Sequence, residues 1–101
     1  MDITKYYNTY KKELVFSNNF NESIENVKWP DLLETITFGG DFNQPLDFLP
    51  EGLTSITINN VNYYHYLGNL PLSIQKIYLR KDIKLDDIVP LELKNKIEFK
   101  N

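Results

Sequence analysis

Cysteine is absent from this chain, arginine, histidine, methionine and tryptophan occur once each, and there are only four glycines in 101 residues. Without cysteine there can be neither a disulfide framework nor a thiolate-held metal. With His65 as the single histidine, no multi-histidine metal cluster and no histidine relay can form within one chain. No apolar run approaches the roughly 18–20 residues that a membrane span needs. Met1 to Lys5 lack the basic start and apolar centre of a secretory signal. A cytoplasmic location with no membrane partner is therefore expected, and the glycosylation pattern at Asn21-Glu22-Ser23 would stay idle. A basic face is missing as well, since the formal charge is −3, and nucleic acid is not an expected partner. Gly-rich phosphate cradles and nucleophile elbows are also lacking. The expectation is a protein that is not an enzyme and holds no cofactor and no metal.

What is present is enough chain for one domain with a modest core. The apolar and charged fractions, 42% and 25%, are ordinary for a globular protein. Charge is unevenly placed: residues 1–70 hold four lysines against nine acids, and residues 71–101 hold seven basic residues against five acids. That is −5 followed by +2. Opposite ends of neighbouring molecules could attract, although a randomly biased solvated surface is the plainer account.

The strongest signal is a repeat. Pro30, Pro50, Pro71 and Pro90 stand 20, 21 and 19 residues apart. Three residues after each comes Leu33, Leu53, Ile74 or Leu93. Ile36, Ile56 and Ile77 take the sixth place, and Phe38, Ile58 and Leu79 the eighth. The last unit slips by one, to Ile97 and Phe99. Sixth and eighth places alternating about a polar residue is strand spacing with one face buried. Proline has no amide hydrogen and disfavours helix before it, so it suits the bend entering a strand. Gly39-Gly40 and Asn59-Asn60 supply residues that tolerate positive φ at the bend leaving it. Phe42, Tyr63 and Ile83 offer a second inward anchor per coil, and Leu49, Leu70 and Val89 a third. One coil cannot bury such anchors alone, whereas stacked coils can, with parallel strands roughly 4.8 Å apart.

The ends differ. Ile3, Tyr6, Tyr7, Tyr10 and Leu14 fall on one helical face, with Asp2 placed as N-cap, so residues 1–12 are expected to form an amphipathic helix capping the solenoid. Residues 13–29 read as a degenerate first repeat, because Phe20-Asn21 precedes Phe42-Asn43 by 22 residues and Ile24 corresponds to Leu46. Trp29 before Pro30 reads as a wedge between coils. Repeats at 30–49, 50–70 and 71–89 follow, then a partial repeat at 90–101. The whole is expected to be a single right-handed, β-rich, leucine-rich-repeat-like solenoid of four to five coils, with short parallel strands in one sheet.

At this level of detail the chain resembles the FNIP repeat family, a leucine-rich-repeat relative of Dictyostelium-type amoebae and of giant viruses of amoebae. Phe38-Gly39 and Phe42-Asn43-Gln44-Pro45-Leu46 reproduce the core of its unit, Leu49-Pro50 begins the next, and Leu70-Pro71-Leu72-Ser73-Ile74 matches its typical entry. The resemblance spans about residues 13–99 with one clean copy. Tyr63 to Leu67 and Ile83 to Leu85 replace the Phe-Asn segment in the later units. It implies a protein-interaction array whose partner would be a host protein if the source is viral. The F-box that some viral members carry does not transfer, because the stretch before the first repeat is too short for one.

Two surfaces compete for the working role. The polar places beside the buried ones, Thr35, Ser55 and Lys76 in one row and Thr37, Thr57 and Tyr78 in the next, would form two ladders on an open sheet face, with Glu98 in line after the slip. Solenoids bind partners on such faces, while threonine also suits strands for its β-branch alone. The second surface is an aromatic patch of Tyr64, His65 and Tyr66 beside Tyr63, since tyrosine is favoured in interfaces; core packing is the alternative for at least one ring. Asp82, Asp86, Asp87 and Glu92 lack the glycine and alternating ligands of an EF-hand loop and read as solvated loop. The leading expectation is a non-enzymatic protein-interaction module. Its rival is a structural unit that self-associates weakly through uncapped ends, near Ile97 to Phe99 in particular.

Overall fold

The computed structural model describes residues 3–85 and 87–100. Among them six strands form one sheet in chain order: β1 Tyr7–Asn8, β2 Glu13–Val15, β3 Thr35–Phe38, β4 Ser55–Ile58, β5 Lys76–Arg80 and β6 Ile97–Lys100. From β2 onward every pair is parallel, and the chain winds as a β-solenoid of about four turns.

The same two turns shape each coil. The carbonyl of Pro30, Pro50, Pro71 and Pro90 accepts the N–H of Leu33, Leu53, Ile74 and Leu93 at 3.2, 3.4, 3.1 and 3.0 Å. Proline loses nothing there, because the turn uses its carbonyl and not the missing N–H. The bend after the strand closes the same way: Phe20, Phe42, Tyr63 and Ile83 donate N–H to Ser17, Gly39, Asn60 and Arg80 at 3.1–3.3 Å. Each bend turns its second anchor inward.

Register then stacks like on like. Leu14, Ile36, Ile56, Ile77 and Ile97 form one row of Cα partners, and Phe38, Ile58, Leu79 and Phe99 another. Phe16 continues the second row, its N–H bonded to Thr37 O at 3.0 Å and its ring parallel to Phe38 within 8°. Phe20, Phe42 and Tyr63 stack at 6.0 and 6.2 Å between ring centroids, tilted only 4° and 9°. Aligned aromatic pairs contribute about 0.5–1.5 kcal/mol each beyond the area they bury. The third inward row is Ile24, Leu46, Leu67 and Ile88, all buried. Of the third anchors expected from sequence, Val89 is buried while Leu49 and Leu70 are only half-buried against the core.

Three sequence expectations are corrected. No helix caps the N-terminus among the described residues: Thr4–Tyr6 is a single 3₁₀ turn, and β1 pairs antiparallel with β2 through Tyr7↔Leu14 and Asn8↔Glu13. The helical stripe fails because Tyr10 is 99% exposed in the hairpin loop. Tyrosine suits a strand, Lys12 takes φ 53° to close the hairpin, and an added strand covers the sheet edge more directly than a helix. The Asp2 cap lies outside the described residues. Second, Gly39, Gly40, Asn59 and Asn60 are not in the left-handed region, which among the described residues is occupied only by Lys12 and Gly52. Gly39 is needed for a different reason: a Cβ there would sit 2.6 Å from Asn18 Cα of the preceding coil. Third, the final strand does not bury its row, since Phe99 is 52% exposed whereas Leu79 beside it is buried.

Asparagine ties the coils together outside the core. Asn21 Oδ1 accepts the N–H of Asn43 at 2.8 Å and a bond from Gln44 Nε2 at 3.0 Å. Asn43 Oδ1 in turn accepts Tyr64 N–H at 3.4 Å. Trp29 bridges its coil to the next by donating Nε1–H to Phe48 O at 2.8 Å.

Candidate functional site

Alternation along β3, β4 and β5 turns one set of side chains into the core and the other onto a single open face. Thr35, Ser55 and Lys76 are successive Cα partners there, and Thr37, Thr57, Tyr78 and Glu98 form the adjacent row. Val15 and Glu13 extend the two rows onto β2. All six expected face residues retain solvent access, Lys76 most of all. The four hydroxyl residues keep the β3–β4 half of the face low and uncharged. Thr35 Oγ1 is shielded from solvent and has no hydrogen-bond partner.

The other half of the face is charged. Lys76 Nζ lies 3.1 Å from Glu98 Oε2, and Lys100 Nζ stands 4.3 Å above the centroid of the Tyr78 ring. Arg80, the next outward position on β5, is the Cα partner of Lys100. Arg80 and Lys100 are not among the residues singled out from sequence, although the alternation from Tyr78 and from Glu98 points to both.

The aromatic patch divides. Tyr63 is core: its ring is buried and its hydroxyl donates to Gln44 O at 2.8 Å. Burial, and secondarily the Asp47 carboxylate, push its phenol pKa well above the ordinary value. His65 is half-buried, with Nε2 3.0 Å from Asn43 O. A carbonyl can only accept, so this contact requires the tautomer with hydrogen on Nε2. Its ring also packs on Tyr64 at 4.5 Å. His65 thus fastens one coil to the last, and only Tyr64 and Tyr66, 67% and 54% exposed, present ring surface to solvent.

An open groove of about 820 Å³ lies between the bends that follow β4 and β5, with Val61, Tyr64, Leu85 and Ile88 along it and Phe99 at its rim. Asp82 and Asp87 also line it, Asp86 lies outside the described residues, and among the described residues no three His, Cys, Asp or Glu converge as metal ligands. No helix among them is long and apolar enough to cross a membrane.

No curated protein and no solved structure matches the chain. Residues 20–60, which hold both Phe-Asn pairs and the turns at Pro30 and Pro50, match the family model of the FNIP Repeat.

Proposed function

We propose that the protein is a non-enzymatic interaction module that holds another protein on the open face of β3, β4 and β5. The observation that carries this reading is the in-register pairing of Thr35 with Ser55 and Lys76, and of Thr37 with Thr57 and Tyr78. Three adjacent strands put short hydroxyl side chains beside Lys76 and Tyr78 on a rigid support. A surface whose backbone is fixed by neighbouring coils loses little conformational entropy when a partner binds. Tyr78 supplies the large amphipathic ring that interfaces favour, held in place by Lys100.

The test is affinity capture from cell lysate with wild type, with a Lys76→Glu/Tyr78→Ala variant and with Tyr64→Ala/Tyr66→Ala on the aromatic patch. A partner retained by the patch variant and lost by the folded face variant supports the reading. Loss only with the patch variant moves the working surface to Tyr64 and Tyr66.

A further inference from the structure

The open face is not electrically uniform, and its asymmetry selects a chemistry. Across β3 and β4 its outward residues are Thr35, Thr37, Ser55 and Thr57, which carry no charge. Across β5 and β6 they are Lys76, Tyr78, Arg80, Glu98 and Lys100, three cations against one carboxylate. That carboxylate is already engaged, because Glu98 pairs with Lys76 at 3.1 Å. Lys100 is held over the Tyr78 ring and has no acidic partner among the described residues. Arg80 has no carboxylate partner among the described residues. Two cations on neighbouring strands, Cα partners of one another, are therefore left beside a fixed aromatic ring.

We infer that this end of the face binds an acidic, extended segment of another protein, its carboxylates on Arg80 and Lys100 and its remaining backbone over the low Thr and Ser rows. This rests on the open face being the binding surface. Arginine suits the role because its planar fork takes a carboxylate through two hydrogen bonds. The uncharged rows suit it too, since small side chains let an extended backbone approach the sheet without meeting a like charge. Glu13 on β2, at the far end of the face, orients the segment by repelling its acids. Nucleic acid fits less well, because the cations of the face are confined to β5 and β6, and a polyanion crossing it would leave phosphates unpaired over the uncharged Thr and Ser rows and meet Glu13. A second copy of this chain fits less well for a geometric reason. The acids it would offer, Asp31, Asp41 and Glu51 among them, lie on turns rather than on an extended run.

The test uses the full chain labelled for NMR and three end-blocked peptide probes: alternating valine and glutamate, valine and glutamine, and valine and lysine. The glutamate peptide is expected to shift the amides of Tyr78, Arg80 and Lys100, with affinity falling as salt is raised. Arg80→Glu is expected to weaken it by about tenfold or more, from the loss of one close charge pair and the gain of a repulsion. Lys28→Glu, a charge reversal off the sheet face, is expected to leave it unchanged. Equal binding of the glutamine peptide at the same amides, or equal weakening by Lys28→Glu, overturns acid selectivity while leaving the face as the docking surface. No shift of any face amide with any peptide overturns both readings. Displacement of the glutamate peptide by a single-stranded oligonucleotide assigns the patch to nucleic acid instead. Self-association in sedimentation that Arg80→Glu abolishes assigns it to a second copy. Either result overturns the inference.

Discussion

The side-chain oxygen of Asn21 accepts the backbone N–H of Asn43 at 2.8 Å, so the asparagine of one coil satisfies the same position in the next. The same atom also takes the Gln44 amide at 3.0 Å. Removing it frees the Asn43 N–H near solvent, while Gln44 Nε2 keeps the Asn21 carbonyl at 3.2 Å. Asn21→Ala is therefore expected to cost about 1 kcal/mol, the usual net worth of a hydrogen bond where water can replace it. Urea unfolding followed by Trp29 fluorescence measures this. Phe42→Ala, which empties the centre of the aromatic stack, is expected to cost about 3–5 kcal/mol and to leave little folded protein.

Gly39 and Gly40 are adjacent but not equivalent. A methyl group at Gly39 meets Asn18 Cα at 2.6 Å, which is backbone, while at Gly40 the nearest atom is Asn18 Oδ1 at 3.1 Å, a side-chain atom that need give only a few tenths of an ångström while keeping its bond to the Gly40 N–H. Gly39→Ala is expected to destabilise by about 1–3 kcal/mol, as overpacking does, and Gly40→Ala by clearly less. Equal costs would show that the coils are not this close at Asn18.

Much of this architecture is legible in the residues. The Pro30, Pro50, Pro71 and Pro90 spacing marks turns that recur with the same hydrogen bond, and the slip placing Ile97 beside Ile77 recurs in the strand register. Local pattern misleads at the N-terminus, because Ile3, Tyr6, Tyr7 and Tyr10 satisfy helical spacing while a free sheet edge at β2 rewards pairing instead. It is also silent about Gly39, whose constraint comes from a residue one coil away. On the candidate face the Thr and Ser rows follow from alternation. That Glu98 pairs with Lys76, leaving Arg80 without a carboxylate among the described residues, is decided only by the three-dimensional arrangement.

Thr35 carries a shielded hydroxyl with no partner. An unsatisfied buried hydroxyl costs about 1–3 kcal/mol relative to a satisfied one, so Thr35→Val, of the same shape, is expected to leave stability unchanged or raise it by up to about 1 kcal/mol. A clear loss in thermal unfolding would mean that the hydroxyl is bonded in solution.

The Lys76–Glu98 pair is short, but both side chains are half exposed. A double-mutant cycle with Lys76→Ala and Glu98→Ala is expected to give a coupling below about 1 kcal/mol that shrinks in salt. Its role then lies in occupying Glu98 rather than in holding the sheet together.

Tyr63 makes stability depend on alkaline pH. Its folded pKa is raised, chiefly by burial and then by Asp47, above the unfolded value near 10. The contribution is therefore complete below about pH 10 and is lost as the pH rises toward the folded value, since only the unfolded chain releases the proton there. Denaturant midpoints measured on either side of pH 10 are expected to fall more steeply for wild type than for Tyr63→Phe, which cannot ionise.

The most direct test of the open face as the working surface is methyl NMR on threonine-labelled protein titrated with a partner recovered by capture. Thr35, Thr37 and Thr57 stand on the face, whereas Thr4, Thr9 and Thr54 do not. Selective shifts at the first three are expected. Shifts confined to Thr4, Thr9 or Thr54, with the face methyls unmoved, would contradict the account and place the partner elsewhere on the solenoid.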